Sequence, residues 1–383
     1  MTTPARAATR YPQIALYGYY GCGNLGDDLL LAVAVAELRR LIPGVRFLVR
    51  DHGDVAGLER LGPDMAFTHI DAILSDRSRS RPERLIRYLA AWFRLLGGCD
   101  WLVFGGGTVF HTQGGLVSLL LQCCICGLAR LRGVRIAALG VGVADLKQPA
   151  ARWLLRRIIA LCDLFLVRDD AGLAQCRGGK ARLTDDLVFS WTGLASDAGR
   201  AHPGGSGEAG IGFSVCPAAF PPEERAAAVA AMAALVRLWR QRGHRVVFLA
   251  FWKRDGADDD RALLREINQR LGPDQDAEIR ILTAEPGVID GALKDIDLVC
   301  GMRFHGLVLA ALAGRAFAGL AHDNKISEIC RSFGMPWLAL GDFTAERFAA
   351  AVDYALTQAP DPALLKTRIA GAHDNFRLLG ERL

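Results

Sequence analysis

The stretch Asp297-Leu-Val-Cys-Gly-Met-Arg-Phe-His-Gly-Leu-Val-Leu-Ala-Ala-Leu-Ala-Gly-Arg-Ala-Phe-Ala-Gly-Leu-Ala-His-Asp-Asn-Lys325 decides how the rest of the chain is read. A short apolar run ends at Gly301, a Leu- and Ala-rich run of helical length follows, and a second apolar run ends at His322. Strand, helix, strand is the unit of a parallel sheet covered on both faces. Arg303, His305, Asp323 and Lys325 fall at the strand ends. Two cations, a titratable imidazole and a carboxylate placed there suit an anionic substrate that undergoes acid–base chemistry.

Outward from this stretch the same alternation repeats. Gln13 to Tyr19 reads as a strand and runs into Gly21-Cys-Gly-Asn-Leu-Gly-Asp-Asp28, with a helix expected over Leu29 to Leu41. The glycines permit close backbone approach, and a helix N-terminus offers free N–H groups. Gly21, Gly23 and Gly26 satisfy a dinucleotide spacing. No acidic residue is expected to end the next strand, Phe47 to Arg50, although Asp51 lies close, so NAD is not indicated. Asp27 reads either as a site residue or as a helix N-cap. Asp100 to Phe104 is a strand, and Gly105, Gly106 and Gly107 before Thr108 are expected to form a turn. Val134 to Val141 and Asp163 to Val167 are further strands, the second ending at Arg168, with a helix over Ala150 to Leu161. Arg168 is a site candidate or the partner of Asp169 or Asp170.

The richest Gly/Pro/Ser stretch lies near residue 200 and reads as a linker. It divides the chain into a first Rossmann-like domain (1–195), a linker (196–209) and a second Rossmann-like domain (210–343). Two C-terminal helices are expected in 344–383, the last of them packing back on the first domain. The second half restarts with Ile211 to Val215, a long helix from Pro222 to Arg242, and Arg245 to Ala250 leading to Lys253. The run Asp258 to Asp260 fits the start of a helix, where carboxylates suit the dipole. Glu278 to Leu282 completes the strands before Asp297. The fold class is α/β, with two Rossmann-like domains facing across a cleft, as in GT-B proteins. Ligands in such sheets bind beyond the carboxyl ends of the strands.

A length of 383 residues suits two domains, and 51% hydrophobic residues supply two cores. The net charge of +5 carries no massed basic segment, which argues against nucleic acid as a partner. The Arg-rich piece from Asp76 to Arg94 reads as a solvated loop and helix face, or as a surface for an anionic lipid or polymer. Ten cysteines lie mostly in apolar runs, without zinc spacing, so no metal site and a reducing, cytoplasmic setting are expected. The N-terminus lacks a signal-peptide core, and Leu116 to Ala129 is too short to cross a membrane.

Taken in order, these motifs resemble the polysaccharide pyruvyltransferases. The resemblance rests on the Gly21 to Asp28 loop, Gly105 to Gly107, Arg168-Asp169, Asp186-Leu-Val-Phe189, Arg303-Phe304-His305 and Asp323 to Lys325. It implies a GT-B-like fold and transfer of pyruvate from phosphoenolpyruvate to a sugar as a ketal. Phosphoenolpyruvate is then a donor substrate, and no cofactor is implied. Carried over, Arg168, Arg303, Phe304 and His305 hold phosphoenolpyruvate. Asn24 and Asp27 match the family's first loop. His322 departs from a frequent Tyr, and Leu187 from a common Pro.

The residue chemistry is compatible: His305 is the candidate acid, Asp27 the candidate base. Gly105 to Thr108, Lys253, Asp323 and Lys325 are further candidate substrate contacts. The acceptor expected from the resemblance is a sugar or lipid-linked saccharide of the cell surface. That expectation allows a peripheral position at the inner face of the cytoplasmic membrane. A nucleotide-sugar glycosyltransferase of the same fold, and a catalytically silent assembly scaffold, are the alternatives.

Overall fold

The computed structural model describes residues 11–113, 115–176, 179–194, 208–253, 259–272, 276–285 and 287–383. Most of the expected linker, together with Asp258, lies outside them. The chain separates into two compact units. The first comprises Met1–Cys22, Asp27–Ser190 and Ala370–Leu383, and the second Gly23–Gly26 and Trp191–Ile369.

The first unit is built from β1 (Gln13–Tyr20), α1 (Leu25–Leu41), β2 (Arg46–Asp51), β3 (Met65–Thr68), α2 (Ala72–Ser75), α3 (Arg81–Leu96) and β4 (Trp101–Phe110). It continues through α4 (Leu116–Leu131), β5 (Arg135–Val143), α5 (Pro149–Leu161), β6 (Leu164–Val167), α6 (Asp170–Gln175) and β7 (Arg182–Leu183). The second contains β8 (Gly210–Ser214), α7 (Pro222–Gln241), β9 (Arg245–Ala250), α8 (Asp260–Leu271), β10 (Glu278–Ile281), α9 (Val288–Leu293) and β11 (Leu298–Gly301). α10 (Phe304–Leu312), β12 (Ala316–Ala321), α11 (Asn324–Ser332), β13 (Trp337–Ala339) and α12 (Ala345–Leu356) follow. α13 (Pro362–Gly380) closes the chain.

Both sheets are parallel. Their strand orders are β3-β2-β1-β4-β5-β6-β7 and β10-β9-β8-β11-β12-β13. The two orders repeat one pattern: the chain winds outward from β1 or β8 in one direction, then returns to β4 or β11 and winds in the other. Each sheet therefore has one point, β1/β4 and β8/β11, where neighbouring strands send their connections to opposite sides. At such a point a crevice opens beyond the strand ends. The two parallel α/β sheets are Rossmann-like and of the GT-B class, as the sequence reading holds.

The central strands are buried on both faces, as Val103, Ala137 and Leu166 in one sheet and Phe213, Phe248 and Val299 in the other illustrate. α3, α4 and α5 share one core with the first sheet, through Trp92, Ile125, Ile158 and Phe104. In the second unit the buried Trp239 ring of α7 lies 5.5 Å from Phe213 and 6.3 Å from Phe348 of α12. Hence α12 packs in the second unit. Only residues from Ala370 onward group with the first unit. There Asn375 accepts from the Thr184 hydroxyl (2.9 Å) and donates to the Asp185 carbonyl (3.1 Å).

Three local expectations are revised. α1 begins at Leu25, not Leu29, which puts Asp27 in its first turn rather than at the cap; the Asn24 side chain accepts from Gly26 N–H (3.3 Å). β2 runs through Asp51, so an acidic residue does end it. That carboxylate is buried and accepts from Gly53 N–H (2.9 Å). Gly105 to Gly107 do not form a turn but lie inside β4 and pair with β5.

Candidate functional site

Each unit gathers its chemistry-bearing residues at the crevice of its own sheet. In the first, β1 ends at Tyr20, whose hydroxyl donates to the Gly105 carbonyl (3.0 Å). A side chain at Gly105 would overlap that hydroxyl. Gly106 and Gly107 adopt φ of +77° and +73°, which disfavours any L side chain. A Cβ on Gly107 would lie 3.2 Å from Oδ1 of Asp27. The glycines thus let a strand pass directly under the first turn of α1, and they bring Asp27 against backbone. Asp27 also lies 4.0 Å from the Cys22 thiol, while Asp28 accepts from Gly21 N–H (2.9 Å).

Arg168 follows β6 and is buried. Its Nη1 donates to Asp186 (2.8 Å), Nη2 to Thr108 Oγ1 (3.0 Å) and Nε to Asp169 (3.4 Å). Burial pulls the guanidinium pKa down, and the carboxylates of Asp186 and Asp169 more than reverse it, leaving it raised. Asp169 also caps α6 by accepting from Gly172 N–H (2.6 Å). The structure therefore brings together Thr108 and Arg168, which were separate candidates in the sequence, and adds Asp186.

One cluster in this unit was not singled out from the sequence. The Tyr19 ring stacks with His52 and with His111, and its hydroxyl lies 2.7 Å from His111 Nε2. His52 is held near Asp71 (3.5 Å), which also pairs with Arg50. Burial, helped by Arg50, pushes His52 down to about 4, so the ring is neutral near pH 7. Burial lifts Tyr19 to about 12 and lowers His111. Tyr19 and His111 stand at the C-terminal ends of β1 and β4, and only the pairing of those strands brings them together.

In the second unit, Arg303 sits in extended conformation immediately before α10, with His305 in that helix's first turn. This satisfies a geometric need, since residues two apart within a helix would diverge. Arg303 pairs with Asp260 through both Nε and Nη2, donates from Nε to the Val215 carbonyl (3.1 Å), and places its guanidinium 5.3 Å from the Trp252 ring centroid. Asp260 is fully buried and also accepts from Phe251 and Trp252 N–H (3.0 and 3.1 Å). Burial raises its pKa, with Arg303 opposing. The capping role expected for this acidic run belongs to Asp259, which accepts from Arg261 N–H (2.9 Å). The Asp297 carboxylate, ahead of β11, accepts from Gly210 N–H (2.8 Å).

The segment Gly23–Gly26 joins the same group. Asn24 forms an antiparallel bridge with Trp252, Leu25 N–H donates to the Phe251 carbonyl (2.8 Å), and Lys253 N–H to Gly23 (3.0 Å). A side chain on Gly26 would overlap Nδ1 of His305. Phe304 meets His305 edge-on at 5.1 Å.

Asp323 caps α11, accepting from Ile326 N–H (3.4 Å), and pairs with Lys325 (2.9 Å) and His322 (3.5 Å). Burial lowers His322, which also feels Asp323, Lys325 and Arg303. The Cys216 thiol, raised by burial, feels Arg303, Asp260, Lys325 and Asp323. One electrostatic neighbourhood therefore spans the ends of β8, β11 and β12. Among the described residues, no three His, Cys, Asp or Glu side chains are placed to hold a metal ion, and no helix is long and apolar enough to cross a membrane.

The family model described as polysaccharide pyruvyl transferase matches residues 24–324. No curated protein matches the sequence. Among solved structures, the UDP-GlcNAc 2-epimerase from Methanocaldococcus jannaschii is 12% identical, with TM-score 0.62, covering 97% of this chain and 99% of that one. A putative UDP-N-acetylglucosamine 2-epimerase from Listeria monocytogenes is 12% identical, with TM-score 0.60 and coverage of 97% and 95%. The UDP-GlcNAc 2-epimerase from Neisseria meningitidis is 11% identical, with TM-score 0.58 and coverage of 97% and 99%. At such identities the likeness speaks to fold alone.

Proposed function

The chain belongs to the polysaccharide pyruvyl transferase family, and we propose that it moves pyruvate from phosphoenolpyruvate onto two hydroxyls of one sugar as a ketal. The acceptor in this reading is a cell-surface polysaccharide or its lipid-linked precursor. The observation that carries the donor assignment is Arg303, fixed by buried Asp260 at the crevice of the second sheet, directly before the N-terminus of α10. An oriented guanidinium at the positive end of a helix dipole is suited to a ligand with a carboxylate and a phosphate.

Arg303 and the backbone at Phe304 bind the donor in this reading, with Arg168 as a second cation. His305 gives a proton to C3 of the enol as one sugar hydroxyl adds to C2. Asp27 takes the proton that this hydroxyl loses. The resulting tetrahedral carbon carries methyl, carboxylate, phosphate and the sugar oxygen. Phosphate then leaves with its bonding pair, and the second hydroxyl adds to C2 with loss of its proton, closing the ketal. Asn24, Gly105 to Thr108, Lys253, Asp323 and Lys325 supply further substrate contacts.

The test is phosphate release from phosphoenolpyruvate across a panel of free and lipid-linked sugars, with mass spectrometry of the acceptor. Phosphate and pyruvylated sugar in equal amounts are expected. Sugar transfer from a UDP- or GDP-sugar, with phosphoenolpyruvate left intact, would overturn the reading.

A further inference from the structure

The outer face of α4 is unusual for a helix that covers a sheet. Leu119, Gln122, Ile125, Cys126 and Ala129 point into the core. On the opposite side Val117, Leu120 and Leu131 are exposed, Leu131 to 80%, with partly buried Cys124 on the same stripe. The helix is apolar on both sides, whereas a surface helix normally turns charged residues outward. The flanking helices extend the feature. α4 packs between α3 and α5. α3 exposes Ile86 (68%) and Phe93, and α5 exposes Trp153 (53%). The guanidinium of Arg157 stacks on the Trp153 ring at 5.2 Å, and that of Arg132 on Phe93 at 4.6 Å.

Charge decides what such a face can meet. α3 carries four arginines, α4 one and α5 three, against the single acid Glu83. Glu83 is itself taken by Arg79, with Arg87 3.9 Å away. A second copy of the chain docking isologously would set arginine-bearing helices against each other with almost no acid to offset them. A bilayer of anionic lipid accepts both parts. The apolar stripe enters the boundary between head groups and acyl chains, the aromatic Trp153 sits at head-group level, and the arginines reach phosphate oxygens.

We propose that the α3–α4–α5 face of the first unit docks on an anionic phospholipid surface. The proposal does not depend on the donor chemistry. The test is flotation of the full chain with vesicles of phosphatidylglycerol and phosphatidylcholine, about 3:7, beside vesicles of phosphatidylcholine alone. Binding to the anionic vesicles, weakened by salt, is expected. Leu120→Asn with Trp153→Ser should weaken it at least about ten-fold, as should Arg156→Glu with Arg157→Glu. All four positions are exposed, and an unchanged thermal midpoint verifies folding. Absence of vesicle binding, equal binding to both compositions, or binding untouched by either double variant would overturn the proposal. A dimer in light scattering that Leu120→Asn dissociates, with vesicle binding unchanged, would assign the face to a second copy instead.

Discussion

Arg168 and Arg303 each stand just beyond a strand of their own sheet, β6 and β11, yet their surroundings differ. Arg168 spends all three nitrogens of its guanidinium on Asp186, Asp169 and Thr108, and the segment carrying Asp186 is pinned by Asn375 of α13. Arg303 is held from one edge by Asp260 and from its face by Trp252, immediately before a helix N-terminus. The first arrangement joins four parts of a unit through a buried ion pair. The second orients a cation. An arginine at a strand end is therefore not one kind of residue, and the partners decide whether its loss is felt first in stability or in binding.

The largest effect is expected where that distinction is sharpest. Arg303→Ala should lower kcat/KM for phosphoenolpyruvate by about a thousand-fold, on the order of 4 kcal/mol. Arg303→Lys should recover little, since an ammonium cannot reproduce the fork to Asp260. Steady-state phosphate release measures both, and a near-normal Lys variant would blur the comparison. Arg168→Ala should strand the Asp186 carboxylate in the interior and cost roughly 3 kcal/mol of stability. Urea unfolding is the readout. Arg168 is also the proposed second cation for the donor, so a loss of donor affinity is expected too; a variant that kept its midpoint would undo the contrast with Arg303.

A smaller effect concerns pH. The folded pKa of His52, about 4, lies below the ordinary 6.5, so the folded state resists protonation. This contribution is complete above the ordinary value and is lost as pH falls from there towards the folded one. Between about pH 7 and about pH 5 the loss should be roughly 2 kcal/mol. Arg50 and His69 oppose the imidazolium and Asp71 favours it. In His52→Gln the urea midpoint should depend less on pH across that range, and an unchanged slope would remove His52 from the account. Smallest is Gly26→Ala. Its new methyl would displace His305, so kcat should fall about ten-fold, on the order of 1.4 kcal/mol, with little change in unfolding.

Much of the fold was legible because apolar runs of strand length alternate with helical stretches; β9, Arg245–Ala250, is read to the residue. β7 and β13, of two and three residues, were not, being too short to display a period; β3, Met65–Thr68, was missed because its residues are only partly buried or exposed and it lacks the apolar run that marks β6. Gly105 to Gly107 mislead for a different reason. Three glycines after an apolar run look like a turn, and only the hydroxyl of Tyr20 and the side chain of Leu30, both distant in sequence, reveal a strand that must lack side chains. At the site, Arg303 and His305 stood out by residue type and place. Asp260 did not, because an acid at a helix start is fully explained by capping, and its partner lies 43 residues away. The Tyr19–His111 pair, 92 residues apart, becomes visible only when β1 and β4 are neighbours.

The central claim is that the Arg303 end of the second sheet holds phosphoenolpyruvate. Titration calorimetry of phosphoenolpyruvate into the wild-type chain and into Arg303→Ala tests it directly, with a UDP-sugar titrated in parallel. Saturable phosphoenolpyruvate binding that disappears in Arg303→Ala, with no heat from the UDP-sugar, is the predicted result. Binding of the UDP-sugar alone, or phosphoenolpyruvate binding indifferent to Arg303, would contradict it.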